Sequence, residues 1–231
     1  MLVAGITTVK AQNGDEIIDK HIKAMGGTEN WNKVQSMKLT GSMNAGGMEI
    51  GMTQTIVTNK GMRMDMSVMG QNCYTIVTPT EGWMYMPIQG SDKVIPLPAD
   101  KVKLSQDKLN IKNGQLVDKS LISKSEYIGM DSVNSVSCYK VKVTDKDGNT
   151  QTAFFDASTY YLLRSELTMK IPGQDEEQEV GANFSNFQKQ KEGIVYPMTV
   201  GTPQGDLVFK TIELNKPVDD GIFKPTTPDK K

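Results

Sequence analysis

From Ser36 to Asn215 the chain runs in short stretches of alternating apolar and polar residues, separated by Gly, Asn, Asp and Pro. Successive side chains on an extended backbone point to opposite sides, so this alternation specifies strands with one apolar and one wet face. Twelve strands are predicted, over 36–43, 47–58, 61–69, 72–79, 82–88, 125–131, 136–144, 150–156, 160–170, 178–188, 194–201 and 205–215. The residues between them mark antiparallel turns. So many consecutive strands cannot lie flat without leaving long unpaired edges, so they stack as two sheets or curl and partly close.

Ahead of the strands, NGDEIIDKHIKAMGG places Asn13 and Glu16 at the spacing of a capping box and repeats Ile17, Ile18, Ile22 and Met25 at helical intervals. Gly26 and Gly27 end that helix, and Thr28 can cap a second, short one carrying Trp31 and Val34. The expected fold is mainly β with α: an unclosed antiparallel β half-barrel, with an N-terminal helix in its mouth and short helices as a lid. Between 89 and 124 the alternation lapses. There Pro96 and Pro98 precede ADKVKLSQDKLN, which suits one or two short helices, and the remainder reads as a loop. No low-complexity linker or internal repeat divides the chain, so 13–225 is expected to be one domain, followed by a disordered tail at 226–231. Residues 1–11, MLVAGITTVKA, have the texture of the end of an export signal, with Val9 and Ala11 at the small positions of a cleavage site. A frayed or strand-forming N-terminus is the other reading. The first reading gives an exported, soluble, periplasmic protein, with no cysteine near the cut to carry a lipid anchor.

Composition excludes several functions. A net charge of −1 with no basic block argues against nucleic acid, which requires clustered Lys and Arg to displace phosphate counterions. The longest apolar run falls far short of the roughly 18 residues of a membrane helix. His21, the one histidine, borders the apolar stripe of the first helix and reads as a surface or flanking residue. One His and two distant Cys make a poor metal site, and the same scarcity argues against a Ser–His–Asp triad. Cys73 and Cys138 are an even pair that an oxidising compartment could join, or two free thiols, Cys138 sharing an outward strand face with Lys140 and Lys142. Asp145–Thr150, DKDGNT, begins like a calcium loop but has Thr where an EF-hand needs Gly and lies between strands, so it reads as a hairpin turn. The acidic run Asp175–Glu179 reads as a solvated turn. Neither a catalytic signature, nor a cofactor motif, nor a glycine-rich phosphate loop is found, and a non-enzyme is expected.

The methionines remain. Met48, Ile50, Met52 and Ile56 share one strand face; Met62, Met64, Met66 and Val68 share another, and Met84 and Met86 alternate in GWMYMP. Met43, Tyr139 and Val141 extend this apolar set. Strands ordinarily favour stiff or flat side chains, whereas Met is flexible and fills irregular space. Either methionine is filler in a packed core, or these residues wall a cavity that adapts to a flexible apolar guest, with Ile17, Ile18, Ile22 and Met25 on a lid helix.

Several stretches taken in order, DEIIDKHIKAMGG, VQSMKLTGSM, TEGWMYMP, FFDASTYYLLRSEL, FSNFQKQKEGIVYPMTV and IELNKPVDDGIFKP, resemble the outer-membrane lipoprotein-sorting family of Gram-negative periplasms, the LolA-like and LolB-like carriers and receptors. The resemblance spans nearly all of 13–225 and implies an unclosed barrel lidded by helices, with an apolar cavity for acyl chains. It implies a part in lipoprotein transport and outer membrane biogenesis, lipid or lipoprotein acyl chains as ligand, an envelope protein as handover partner, a monomer, and no cofactor. Carriers of that family use an arginine to hydrogen-bond the lid; of the two arginines here, Arg63 and Arg164, Arg63 alternates opposite the methionines. The alternative is a non-enzymatic envelope interaction or scaffold protein with the same fold and a filled core.

Overall fold

The computed structural model describes residues 13–90, 92–170 and 177–227; the signal remnant expected at 1–11 and the end of the tail, 228–231, lie outside them, as do Asp175 and Glu176 of the acidic run. Helix α1, Gly14–Ala24, starts where the sequence places it: Asn13 Oδ1 accepts from the Glu16 amide at 2.8 Å. It ends in paired bonds from Gly27 N to the Ile22 carbonyl at 2.9 Å and from Gly26 N to the Lys23 carbonyl at 3.2 Å, a Schellman closure requiring the positive φ of Gly26, 106°. Helix α2, Thr28–Asn32, is preceded by Gly27 at φ 82°, and no side chain caps it, so Thr28 is its first residue and not its cap. Its Trp31 is fully buried, and the indole N–H donates to the Met25 carbonyl at 2.8 Å, satisfying the one polar atom it carries inside. Val34 is buried just beyond the helix.

Thirteen strands follow among the described residues: β1 Ser36–Ala45, β2 Met48–Val57, β3 Gly61–Val68, β4 Gln71–Val77, β5 Gly82–Tyr85, β6 Ile95–Pro96, β7 Ile122–Val133, β8 Val136–Asp145, β9 Thr150–Asp156, β10 Leu162–Lys170, β11 Glu177–Lys189, β12 Val195–Thr202 and β13 Gly205–Leu214. The twelve expected strands are all among them; the addition is β6, two residues long. Turn chemistry sets the hairpins. Between β1 and β2, Gly46 and Gly47 both have positive φ, 58° and 83°, the conformation a two-residue hairpin needs. Between β8 and β9, Asp145 Oδ1 accepts from the amides of Asp147 and Asn149, so DKDGNT is the hairpin its sequence suggests.

The strands lie in the order β6-β5-β4-β3-β2-β1-β13-β12-β11-β10-β9-β8-β7, all pairs antiparallel. The first and last strands therefore meet in the middle, while β6 and β7, consecutive in sequence, stand at opposite ends. The sheet is an unclosed half-barrel, and the connection from β6 to β7 has to cross it from one end to the other. This crossing segment, 97–121, carries helix α3, Ala99–Leu104, and three short 3-10 turns. It crosses the inner face and buries Val102, Leu109, Ile111, Leu116 and Val117 there. The core thus has two parts: Trp31, Met25 and the crossing segment over β1–β4, β12 and β13, and Ile17, Ile18 and Ile22 of α1 over β8–β11.

After β13 the chain turns over the strand ends onto the outer face. There Phe223 packs with Tyr74, Ile76 and Tyr85 in a small separate core, and the Tyr74 hydroxyl donates to the Thr226 carbonyl at 2.7 Å. Thr226, the first residue of the expected disordered tail, is accordingly fastened to the sheet.

Candidate functional site

Pairing register places the apolar residues of β1–β5 in cross-strand rows on the inner face. Met37, Ile56, Met62 and Val77 form the first; Leu39, Gln54, Met64, Thr75 and Met84 the second; Gly41, Met52, Met66 and Cys73 the third; Met43 and Ile50, then Ala45 and Met48, the last two. The first row is buried throughout and the last two are not, with the rows between mixed: Met64 is half-buried, but Met52 and Cys73 of the third row are buried. Met62 is 4% exposed beneath the crossing segment, in one cluster with Leu109 and Ile111, whereas Met48 at the far end is 49% exposed. Ile56 and Met52 are buried; Met43, Ile50, Met64, Met66, Val68, Met84 and Met86 are half-buried. Half-buried Leu207 of β13, opposite Met43, and Val200 of β12, opposite Leu207, continue the strip across the sheet. One strand face is thus core at one end and a half-open thioether trough at the other.

Two of the expected face residues lie elsewhere. Val141 is fully buried beneath α1 with Ile17 and Ile18, and Tyr139 is half-buried with its ring stacked 5.6 Å from Tyr160. Both belong to the seat of the helix rather than to the trough. The helix residues Ile17, Ile18, Ile22 and Met25 are all buried against the sheet.

Polar ties join α1 and α2 to the crossing segment. Lys119 Nζ lies 2.6 Å from Asp19 Oδ1, and Lys112 Nζ donates to Asn32 Oδ1 at 3.0 Å and meets Asp118 Oδ2 at 2.5 Å. Burial opposes the charge on Asp118, but Lys112 and Ser120 outweigh it and hold the carboxyl below its ordinary range. His21, expected at the surface, is fully buried: Nδ1 lies 2.8 Å from the Tyr160 carbonyl oxygen, Nε2 lies 2.8 Å from that of Gln115, and the ring packs 4.8 Å from Phe155. Helical periodicity placed it beside the stripe, but the crossing segment that buries it gives no signal in the sequence around His21.

The outer face is different in kind. A groove of about 580 Å³ opens there, bordered by Thr40, Thr53, Arg63, Asp65, Ser67, Asn72 and Thr226, with the intervening row from Gly41 to Cys73 also contributing. Arg63 is engaged: it pairs with Asp65 at 2.8 Å, donates to the Ile222 carbonyl at 3.0 Å and lies over the Tyr74 ring. Arg164 pairs with Glu166. The arginine contacts described here thus go to outer-face partners and not to α1. The disulfide raised as one possibility is not formed; Cys73 and Cys138 are separate buried thiols. They sit in different halves of the sheet, Cys73 on the inner face and Cys138 under Val133 and Phe154 on the outer. Burial pushes both thiols up, away from the reactive thiolate. Among the described residues no group of three or more His, Cys, Asp or Glu could hold a metal ion, and no helix is long and apolar enough to cross a membrane.

An unclosed antiparallel half-barrel, its inner apolar face half covered by helices and a crossing segment, defines the class of architecture. Its structural neighbours are LolA-superfamily and lipoprotein-sorting domain proteins. A LolA superfamily protein from Nitrosomonas europaea matches with a TM-score of 0.54 at 13% identity, over 93% of this chain and 99% of that one. An outer membrane lipoprotein-sorting protein domain from Vibrio parahaemolyticus matches at 0.52 and 13%, over 91% and 95%. A DUF1329 family protein from Desulfovibrio piger matches at 0.55 and 17%, over 91% and 97%. At these identities the likeness is one of fold. No protein-family model and no curated protein matches the sequence.

Proposed function

We propose that the chain is a non-enzymatic periplasmic carrier or receptor whose trough takes an acyl chain of a lipoprotein or another lipid. The observation that carries this reading is the contrast along one strand face: the row of Met62 is sealed, while Met64, Met66, Met43 and Ile50 stay half-open around the buried Met52 and Cys73. A continuous apolar strip in contact with water is costly unless something covers it part of the time. Each methylene buried there contributes about 0.8 kcal/mol before ordering costs. Flexible thioethers tolerate chains of varied length and hold none rigidly, which suits a protein that must release its cargo. The shared fold with lipoprotein-sorting domains supports the same reading, with an envelope protein as handover partner. The packed first row supports the other reading, an envelope scaffold with a filled core, only for the covered half of the face.

The test compares two residues on one strand face. Met64→Arg leaves a charge at a half-open position and is expected to abolish binding of a fluorescent acyl probe while the circular dichroism spectrum persists. Met62→Arg buries an unpaired charge in the core and is expected to unfold the protein. Probe binding unaffected by Met64→Arg, or absent from the wild type together with no lipid in native mass spectra, overturns the proposal.

A further inference from the structure

We propose that His21 is a proton-operated clasp: its imidazole holds α1 between the crossing segment and the 156–162 turn, and gaining a proton releases it. The inference rests on reading α1 and the crossing segment as the cover of the trough. Both ring nitrogens face backbone carbonyl oxygens at 2.8 Å, one from Gln115 and one from Tyr160. A carbonyl only accepts, and a neutral imidazole has one N–H to give, so at neutral pH one of these contacts lacks a hydrogen. The imidazolium could donate to both, but as a fully buried cation.

Among the described residues, the groups around it offer no neutralising charge. On α1, Glu16 is paired with Lys20 and Asp19 with Lys119; on the crossing segment Asp118 is paired with Lys112. From the turn, Asp156 accepts from the amides of Ser158 and Thr159, and the Tyr160 hydroxyl accepts from Lys20. From β8 and β9 come Tyr139 and Phe155. The seat is also imperfect on its far side: Gln115 Oε1 is buried without a hydrogen-bond partner, and Leu116 has a left-handed φ of 52°. Opening hydrates the first and relaxes the second, both of which cost free energy in the closed form.

The sign follows from linkage. In the closed form burial pulls the imidazole below its ordinary value, outweighing the two carbonyls that raise it; in an open form it titrates near about 6.5. The open form holds the proton more tightly, so the clasp is intact above about pH 6.5 and is lost progressively as the pH falls.

The lipid-free protein provides the test, because His21 is the chain's one histidine and gives a single imidazole titration by NMR. A value below about 6.5 is expected. Hydrogen exchange, corrected for the intrinsic effect of pH, should show protection of the segment around Gln115 and Leu116 falling about tenfold per unit of depression between about pH 7 and pH 5. His21→Phe, an apolar ring against Phe155, should keep that protection flat across the range. An imidazole value at or above the ordinary one, a wild-type profile without pH dependence, or the same dependence in His21→Phe overturns the clasp. Should that variant fail to fold, the wild type decides, since the exchange midpoint has to follow the imidazole titration. None of these readouts uses a lipid, so failure of the acyl-probe experiment leaves this result standing, and the reverse holds.

Discussion

A glycine facing a neighbouring ring and one facing open space separate packing from backbone effects. A Cβ on Gly61 of β3 would lie 2.7 Å from Phe223 Cδ1 and 2.9 Å from its Cγ, whereas one on Gly51 of β2 meets nothing within 4 Å. Gly61→Ala has to displace the ring that anchors the C-terminal segment and should lower stability by about 1–3 kcal/mol, read as a fall in urea midpoint. Gly51→Ala should be neutral or slightly stabilising, because alanine narrows the unfolded ensemble. Equal effects from the two would show that the Phe223 contact contributes nothing. The same scale shows what alternation encodes. Met62 and Met64 are indistinguishable in a period-two pattern, which fixes the face of a side chain and not its depth. Depth depends on what lies above, and Leu109 and Ile111 reach Met62 from a segment with no periodicity of its own. Val141 and Tyr139 fell to the same limit: their face was legible, but not the helix resting on it.

At the scale of elements, strands and the first helix were legible because each announces itself locally, through alternation, a capping asparagine and paired glycines. Strand β6 was not, since two residues containing Pro96 carry no pattern. The crossing segment was legible only in part: ADKVKLSQDKLN suits short helices and carries α3 and the first 3-10 turn, but the remainder, read as a loop, takes its shape from the sheet it covers. The C-terminal segment is a third such case: the sequence reads as polar and proline-rich, yet it anchors a second small core on the outer face. Phe223, 7% exposed, is its principal apolar anchor, with Lys60 paired to Asp220 and Arg63 bonded to the Ile222 carbonyl beside it. Truncating that ring in Phe223→Ala should cost about 3 kcal/mol or more, measured by urea denaturation. Val208→Ala, at a position 42% exposed on β13, should change little. Free peptide bonds in the last dozen residues by hydrogen exchange in the wild type would instead mark the segment as undocked.

The whole molecule is ordered by one topological fact that no local pattern contains: β1 and β13 are neighbours, so the ends of the described chain close the middle of the sheet. Hairpins can form at any point along β1–β5 or β7–β13, but the two halves become one sheet only when Met37 pairs with Leu214 and Leu39 with Ile212. Those contacts span nearly the whole chain, and loop closure of that length has to be met before any of them stabilises the fold. The crossing segment depends on the same event, since Leu109 and Ile111 pack in one cluster with Met37, Leu214 and Phe209, residues drawn from both halves. A chain ending at Thr202, which lacks β13, should therefore lose more than one strand. It keeps every local signal and most of its hairpins, yet leaves the β1 and β12 edges unpaired and the crossing segment without half its seat. The expected outcome is a far-ultraviolet dichroism spectrum still rich in strand, a broad thermal transition in place of a single cooperative one, and collapsed amide dispersion by NMR. A sharp cooperative transition in that truncated chain would show that one half-sheet folds alone, and that the pairing of β1 with β13 joins two stable units instead of creating one.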